Sequence, residues 1–303
     1  MWERRMSKNK VSSTHVTTPL RYPGGKAKAM SFLRRFIPEI QDFREPFAGG
    51  ASMFLFVRQQ FPKANFWLND LNTDVYCFWK LAQTSNHALV REVQGIKNTT
   101  RDGKALFRQL TQEWRESEAS EFDRAVRFFV LNRITFSGTV DSGGYSQKAF
   151  ESRFTDSAMR RLSAIEPLLE GVTITNYDYA DVVPKSSEPA SEDVFTFLDP
   201  PYWSATESRL YGKRGVLHLK FDHTRFAETM KECAGKWLLT YDDSPNIRQN
   251  FAFATMMEWQ LQYGMNNYKQ EKAAKGKELL ISNYPLSERE GSHYLHSHEL
   301  TLF

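Results

Sequence analysis

The chain has 303 residues, is 41% hydrophobic and 14% aromatic, and carries a formal net charge of +4. That suits one large domain, or a core domain with an insertion, and the mild basic bias is compatible with nucleic acid without diagnosing it. No apolar run approaches the roughly 18 residues of a membrane span, and the basic N-terminus lacks a signal-type apolar segment. Cys77 and Cys233 stand alone and far apart, so no disulfide framework or cysteine metal cluster is expected.

Residues 1–18 read as a loose basic tail, with nine Lys or Arg against one Glu between positions 1 and 35. Arg21-Tyr22-Pro23-Gly24-Gly25-Lys26 superficially suggests a phosphate loop. It lacks the GxxxxGK[ST] spacing, and Ala27 follows the lysine, so nucleotide hydrolysis is a weak reading. A strand is predicted at 43–47, running into Glu45-Pro46-Phe47-Ala48-Gly49-Gly50-Ala51-Ser52 and then the apolar stretch 53–57. Strand, glycine turn and helix is the layout in which backbone approaches a cofactor closely. A second strand, 65–69, ends at Asp70, about 20 residues on, where an acid characteristically binds ribose hydroxyls.

The next hundred residues show helical periodicity: Leu89, Val90 and Val93; Leu106, Phe107 and Leu110; Ala125, Phe128, Phe129 and Leu131. Residues 84–166 read as a helical insertion contacting the substrate. Its charge is nearly balanced (13 basic, 11 acidic), so recognition there should rest on specific side chains. Within it, 136–146 is a glycine-interrupted loop containing Phe136, Ser137, Thr139 and Asp141, whose aromatics suit wedging into a base stack or packing inward.

Strands follow at 172–177, leading to Asp178, and at 194–198, leading to Asp199-Pro200-Pro201-Tyr202-Trp203. The second is a buried-strand run, and open α/β sheets place chemistry past the carboxyl ends of such strands. An Asp carboxylate accepts from an exocyclic NH2, prolyl carbonyls accept while their ring nitrogens cannot donate, and Tyr202 offers a stacking face. Trp203 either extends that face or packs. Basic clusters at 209–220 (Arg209, Lys213, Arg214, Lys220) and 269–277 suit phosphate contact. Further strands are predicted at 236–241, 255–262 and 278–283. Strands alternating with helices imply an α/β doubly wound sheet.

Taken in order, RYPGGK, PFAGG, LND and DPPYW resemble the Dam-like (α-group) DNA adenine-N6 methyltransferases. Leu131-Asn132-Arg133-Ile134-Thr135-Phe136-Ser137-Gly138, Asn176-Tyr177-Asp178-Tyr179, Leu239-Thr240-Tyr241-Asp242 and Glu278-Leu279-Leu280-Ile281 extend the likeness over nearly the whole chain. The resemblance implies a Rossmann-like methyltransferase sheet, built from 19–83 and 167–303, with a mostly helical target-recognition insertion at 84–166. It implies S-adenosylmethionine as methyl donor, S-adenosylhomocysteine as product and no metal. Asp199, Pro200, Pro201 and Tyr202 would be catalytic. Tyr22, Lys26, Phe47, Ala48, Gly49, Asp70, Asp178 and Asp199 would bind cofactor. Arg133, Phe136, Ser137, Thr139, Asp141, Lys213 and Arg214 would meet double-stranded DNA, whose target base must be flipped out. The protein would be a cytoplasmic, nucleoid-associated monomer or weak dimer of bacterial or phage type, with a separate restriction endonuclease as a possible partner. Phe136-Ser137 stands where Dam carries an aromatic-Asn pair and Asp141 where it carries a basic residue, so GATC specificity is not implied. Cytosine-N4 methylation shares the chemistry, but a serine-first tetrad is commoner there, and RNA or protein amide methylation would lead with asparagine. A catalytically idle DNA-binding module is opposed by the intact Asp199 and FAGG loop.

Overall fold

The structure is a computed structural model that describes residues 15–22, 25–116, 119–140, 143–188, 191–203, 221–261 and 276–286. The strands are β1 (Asp42–Glu45), β2 (Asn65–Asn69), β3 (Thr173–Thr175), β4 (Val194–Leu198), β5 (Lys236–Asp242), β6 (Thr255–Leu261) and β7 (Gly276–Ser282). They form a seven-stranded sheet in the order β3-β2-β1-β4-β5-β7-β6. Neighbours from β3 to β5 pair in parallel, and β7 runs antiparallel to both β5 and β6. The chain reverses its direction of travel across the sheet between β1 and β4. The crevice past the carboxyl ends of those two strands is therefore the place where such a sheet can hold a ligand.

All seven expected strands form; β2 and β4 keep the expected bounds and the other five shift at one or both ends. β1 stops at Glu45 because Pro46 has no N–H for the ladder. β3 is shorter than expected because side chains take over the pairing. The Tyr177 N–H donates to the Asn69 side-chain carbonyl at 2.8 Å, and the Asn176 amide donates to the Asp70 carbonyl at 2.7 Å.

Both faces of the sheet are covered, and alternation sorts the side chains. Leu238 and Leu280 join Phe43, Phe66, Phe195 and Phe197 in one apolar cluster. Trp237, Leu239, Tyr241, Leu279 and Ile281 join Leu198 and helix His223–Lys231 in the other. By the same alternation, Thr240, Asp242 and Glu278 project from the first face.

The helices on that face are α1 (Met30–Leu33), α2 (Ser52–Gln60), α3 (Thr73–Thr84), α4 (Asn86–Thr99), α5 (Gly103–Glu116), α6 (Glu121–Ile134), α7 (Gln147–Arg153) and α8 (Asp156–Ala164). The stretch 84–166 is helical as expected, but it has no separate core. Leu89, Val93, Phe128, Phe129 and Leu131 belong to the same cluster as the sheet residues Phe43 and Phe195. Phe78 of α3 stacks on Phe129 of α6 at 5.7 Å.

Asn132, fully buried in α6, fastens the N-terminal segment to this lobe. Its carbonyl accepts from the Arg21 N–H at 2.9 Å, and its amide donates to the Arg21 and Gly138 carbonyls at 2.7 and 3.0 Å. A side chain that satisfies three buried backbone groups is hard to replace. Asn132→Ala should lower stability by about 2–4 kcal/mol, the range for leaving several buried polar groups unpaired. Urea denaturation measures the loss, and hydrogen exchange should accelerate at the Arg21 amide.

Candidate active site

Asp199 follows the last residue of β4, at the crevice. Its carboxylate is gripped from two sides: the Lys26 ammonium lies 2.8 and 2.9 Å from its two oxygens, and the Thr240 hydroxyl on β5 donates at 2.8 Å. Lys26 is 3% exposed and the Asp199 side chain 22% exposed, so the pair sits at the floor of the crevice with the carboxylate on its open side. The same ammonium lies 5.1 Å from the centre of the Tyr202 ring. The Trp203 N–H donates to Asp242 at 2.8 Å and closes the loop onto the end of β5. The DPPYW segment is thus stiffened by two prolines and tied at both ends.

Beside it, the glycine turn after β1 wraps the end of β2. The Asp70 carboxylate accepts from the Gly49 N–H at 2.8 Å and from the Asn72 N–H at 2.9 Å. The Gly49 carbonyl accepts from the buried Trp79 indole at 2.9 Å, and the Ala48 N–H donates to the Asn69 carbonyl at 2.9 Å. Gly49 has φ +43, and a Cβ there would stand 2.6 Å from the Tyr22 ring, so no other residue fits. Tyr22 thereby lids the turn. Phe47 stacks on Tyr179 at 5.6 Å. Desolvation raises the Asp70 carboxyl to about 6, against the pull of its two backbone N–H donors.

Two more carboxyls are buried nearby. Glu45 accepts from the Phe54 N–H at 2.9 Å and so caps α2, whose own N-cap position is Ala51 with no side-chain acceptor. Burial holds Glu45 well above the usual carboxylate range, with Asp199 and Asp70 pushing the same way and the Phe54 bond opposing. Glu278 on β7 is raised to about 7, chiefly by burial. Neither residue's role was assigned from sequence, nor was that of Thr240, although Thr240 and Glu278 lie within segments that carry the family likeness.

Asp178 lies at the end of β3's extension. Its carboxylate is held by Arg225 at 2.9 and 3.2 Å and also accepts from the Ala180 N–H at 3.0 Å. Leu71 and Tyr177, flanking Asp70 and Asp178, are 49% and 53% exposed.

The lobe residues divide. Phe136 is 64% exposed at the start of a loop whose ends pair through Thr135 and Tyr145. Ser137 follows at φ +54, and at Gly138 a Cβ would collide with the Arg21 carbonyl at 2.2 Å. Arg133 and Thr139, expected on the DNA-facing surface, are instead buried. Thr139 donates to the Phe136 backbone carbonyl at 2.8 Å, and Arg133 is 2% exposed and donates to the Asn132 side-chain carbonyl at 3.0 Å. Both hold the loop's base. Burial lowers the Arg133 guanidinium to about 9, and neighbouring Arg21, Arg161 and Arg153 lower it further. Asp141, Lys213 and Arg214 lie outside the described residues, as do the other basic residues of 209–220 and Lys269, Lys272 and Lys275. Among the described residues no cluster of three or more His, Cys, Asp or Glu could hold a metal, and no helix is long and apolar enough to cross a membrane.

The sequence model of the D12 class N6 adenine-specific DNA methyltransferases matches residues 22–265, and the chain belongs to that family. It is 24% identical to a DNA adenine methylase of Vibrio cholerae over 197 residues, 60% of this chain and 64% of that protein. The chain thus spans somewhat less than two thirds of that relative. It is 25% identical to the DNA N-6-adenine-methyltransferase of Escherichia phage P1, over 82% of this chain and 32% of that one. With the type II methyltransferase M.CviBI of Paramecium bursaria Chlorella virus NC1A it shares 24% identity over 88% of this chain and 98% of the relative.

The geometry of the glycine turn is directly testable. Gly49→Ala would need both a left-handed backbone and a displaced Tyr22 ring. It should cost about 1–3 kcal/mol of stability, the scale of strained backbone, seen as a lower urea midpoint with an unchanged m-value.

Proposed function

We propose that this chain transfers a methyl group from S-adenosylmethionine to the N6 amine of an adenine flipped out of double-stranded DNA. The observation that carries this reading is the adjacency of two half-sites at the crevice. One is an Asp199 carboxylate held in place by Lys26 and Thr240; the other is a bare glycine turn clasped by Asp70.

The residues present fit the cofactor. Each Asp70 oxygen accepts one backbone N–H and keeps a lone pair for a ribose hydroxyl. The exposed Leu71 and Tyr177 side chains offer apolar surfaces for an adenine ring, with Asp178 alongside for its amine. Phe47, Ala48 and Gly49 would line the methionine end, with Tyr22 above them. When bound, S-adenosylmethionine supplies a methyl group on a cationic sulfonium.

The chain's own part is positioning and electrostatics. Adenine N6 is a weak nucleophile because its lone pair is delocalised into the ring. Asp199 and the Pro200 carbonyl would accept from its two N–H groups and favour a pyramidal nitrogen, and Tyr202 would stack on the base. The buried carboxyls around the site favour positive charge at the reacting nitrogen. No covalent intermediate is needed.

DNA would approach over the loop carrying Phe136 and Ser137, with Phe136 entering the stack beside the extruded base. Arg21, Arg153 and Arg161, whose positive charges gather around Arg133, would meet phosphates. Lys213 and Arg214 are assigned the same role on sequence grounds. The lobe 84–166 would read the target. The enzyme would act as a monomer or weak dimer in the cytoplasm, close to the DNA, with a separate restriction endonuclease as a possible partner. The names of M.CviBI, a type II methyltransferase, and of the Streptococcus sanguinis modification methylase StsI support a modification role.

Asp199→Ala should abolish methyl transfer from labelled S-adenosylmethionine to duplex DNA while leaving cofactor affinity within a few fold. Asp199→Asn should also be severely impaired, since an amide has one acceptor oxygen and a competing NH2. Near-normal turnover of both would overturn the role.

Asp70→Ala should weaken cofactor binding by about 1.5–3 kcal/mol, the scale of hydrogen bonds to a charged group, as read by calorimetry. The pH dependence has a definite sign. The ionised carboxylate is the acceptor, and its pKa is raised to about 6. Wild-type affinity should therefore be flat above that pH and fall as pH drops through it, and Asp70→Ala should remove this dependence.

A further inference from the structure

Glu278 lies on β7, beyond residues 22–265, which the family's sequence model matches. It is 1% exposed, and its carboxylate oxygens lack well-formed hydrogen bonds, the Tyr202 hydroxyl being a donor set against them. In the sheet register it stands directly opposite Asp242 on β5 and Trp259 on β6, so the three side chains leave the sheet on one face. The Trp259 indole N–H is also buried without an acceptor, and its ring stacks on Phe32 at 5.0 Å. Four groups act on Glu278 besides burial: Lys26 and the Tyr202 hydroxyl favour its ionised form, and Asp199 and Asp242 oppose it. A buried carboxyl with weak hydrogen bonding is thus poised near neutrality beside the catalytic loop.

The adenine-methylation reading, on which this inference rests, makes a demand at Asp199. Its carboxylate must accept from the target amine, yet both oxygens are taken by Lys26 and one also by Thr240. The Lys26 ammonium is buried and cannot be left without a counter-charge. It needs a receiver inside the protein. We propose that Glu278 is a positioning residue that receives the Lys26 ammonium when the target amine engages Asp199, freeing an Asp199 oxygen while Lys26 stays paired. The arriving cation ionises Glu278, because an opposite charge favours the charged form, and the proton passes to solvent. Apart from the carboxyl O–H, whose proton water takes up, no covalent bond is made or broken in the exchange. Its effect is that the carboxylate meets the amine only once the amine has arrived.

The test is single-turnover methylation of duplex DNA by the full chain across pH 5.5–9, with cofactor affinity measured in parallel. Glu278→Gln should slow the methylation step at least tenfold while cofactor affinity stays within twofold, and Glu278→Asp should recover part of the rate. The wild-type rate should fall as pH drops through about 7, the value to which burial raises this carboxyl, and the glutamine variant should lose that limb. The double variant Lys26→Met/Glu278→Gln should be no slower than Lys26→Met alone, since without the ammonium there is nothing to receive. A wild-type rate and pH profile in Glu278→Gln, or strictly additive losses in the double variant, would overturn the proposal. If Glu278→Gln fails to fold, the pH limb in Glu278→Asp decides, because a retained carboxyl must retain a limb. If the wild-type chain transfers no methyl to adenine, the functional reading itself fails, a result distinct from all of these.

Discussion

The ion pair between Lys26 and Asp199 joins two parts of the chain 173 residues apart, and the arrangement of the crevice follows from it. Lys26 opens a short 3-10 turn that leads into α1, so pairing with Asp199 fixes where the N-terminal segment lies on the sheet. From there Tyr22 falls across Gly49 and Gly50, and Arg21 reaches Asn132 in the lobe. A buried ion pair is not itself a strong source of stability, because desolvation offsets most of its Coulomb energy. Its contribution is specificity of arrangement. A displaced N-terminal segment would leave Asp199, Glu278 and Asp242 facing one another without a cation, and that electrostatic cost opposes every alternative placement.

This constraint also accounts for the split between what the sequence disclosed and what it did not. Strands, glycine turn and strand-end acids were legible because each is a local consequence of its own residues. An apolar run ending in Asp199 becomes β4 with its acid at the crevice, and Asp70 falls about 20 residues beyond the glycine turn whose N–H it accepts. The pairing of Lys26 with Asp199 was not legible, since a lysine at a glycine-rich turn suits a carboxylate on a ligand equally well. Arg225 on Asp178 and Thr240 on Asp199 were hidden for the same reason: each partner comes from a different strand or helix, and side-chain pairing across elements leaves no spacing signature. Arg133 and Thr139, which the resemblance implied would meet DNA, turn inward here: Thr139 donates to the Phe136 backbone carbonyl and Arg133 to the Asn132 side chain, partners that no spacing in the sequence announces.

The stretch 84–166 was expected as an inserted lobe. In packing it is an extension of the sheet's first-face core, with Phe78 and Phe129 stacked across the boundary at 5.7 Å. A lobe bound this way cannot swing as a separate body without opening apolar surface. Under the proposed function, DNA would then be accommodated by the loop around Phe136 and by segments near the crevice, while α6 holds its position relative to Asp199. That rigidity suits a reaction in which one base must be presented within hydrogen-bonding distance of a fixed carboxylate.

The concentration of acids at the carboxyl end of the sheet remains to be explained by its chemistry. Glu45, Asp70, Asp199, Asp242 and Glu278 converge there, and burial raises three of them, Glu45, Asp70 and Glu278. For stability alone this is a poor choice, since apolar residues would fill the same space without a desolvation cost. For the proposed reaction it is a good one. A cationic sulfonium enters, and positive charge develops on the amine nitrogen as the methyl group arrives. An interior already short of positive charge lowers the energy of both without rearranging. The raised pKa values of Glu45, Asp70 and Glu278 come chiefly from burial, which disfavours their charged forms, and a cation entering the site would favour those forms again.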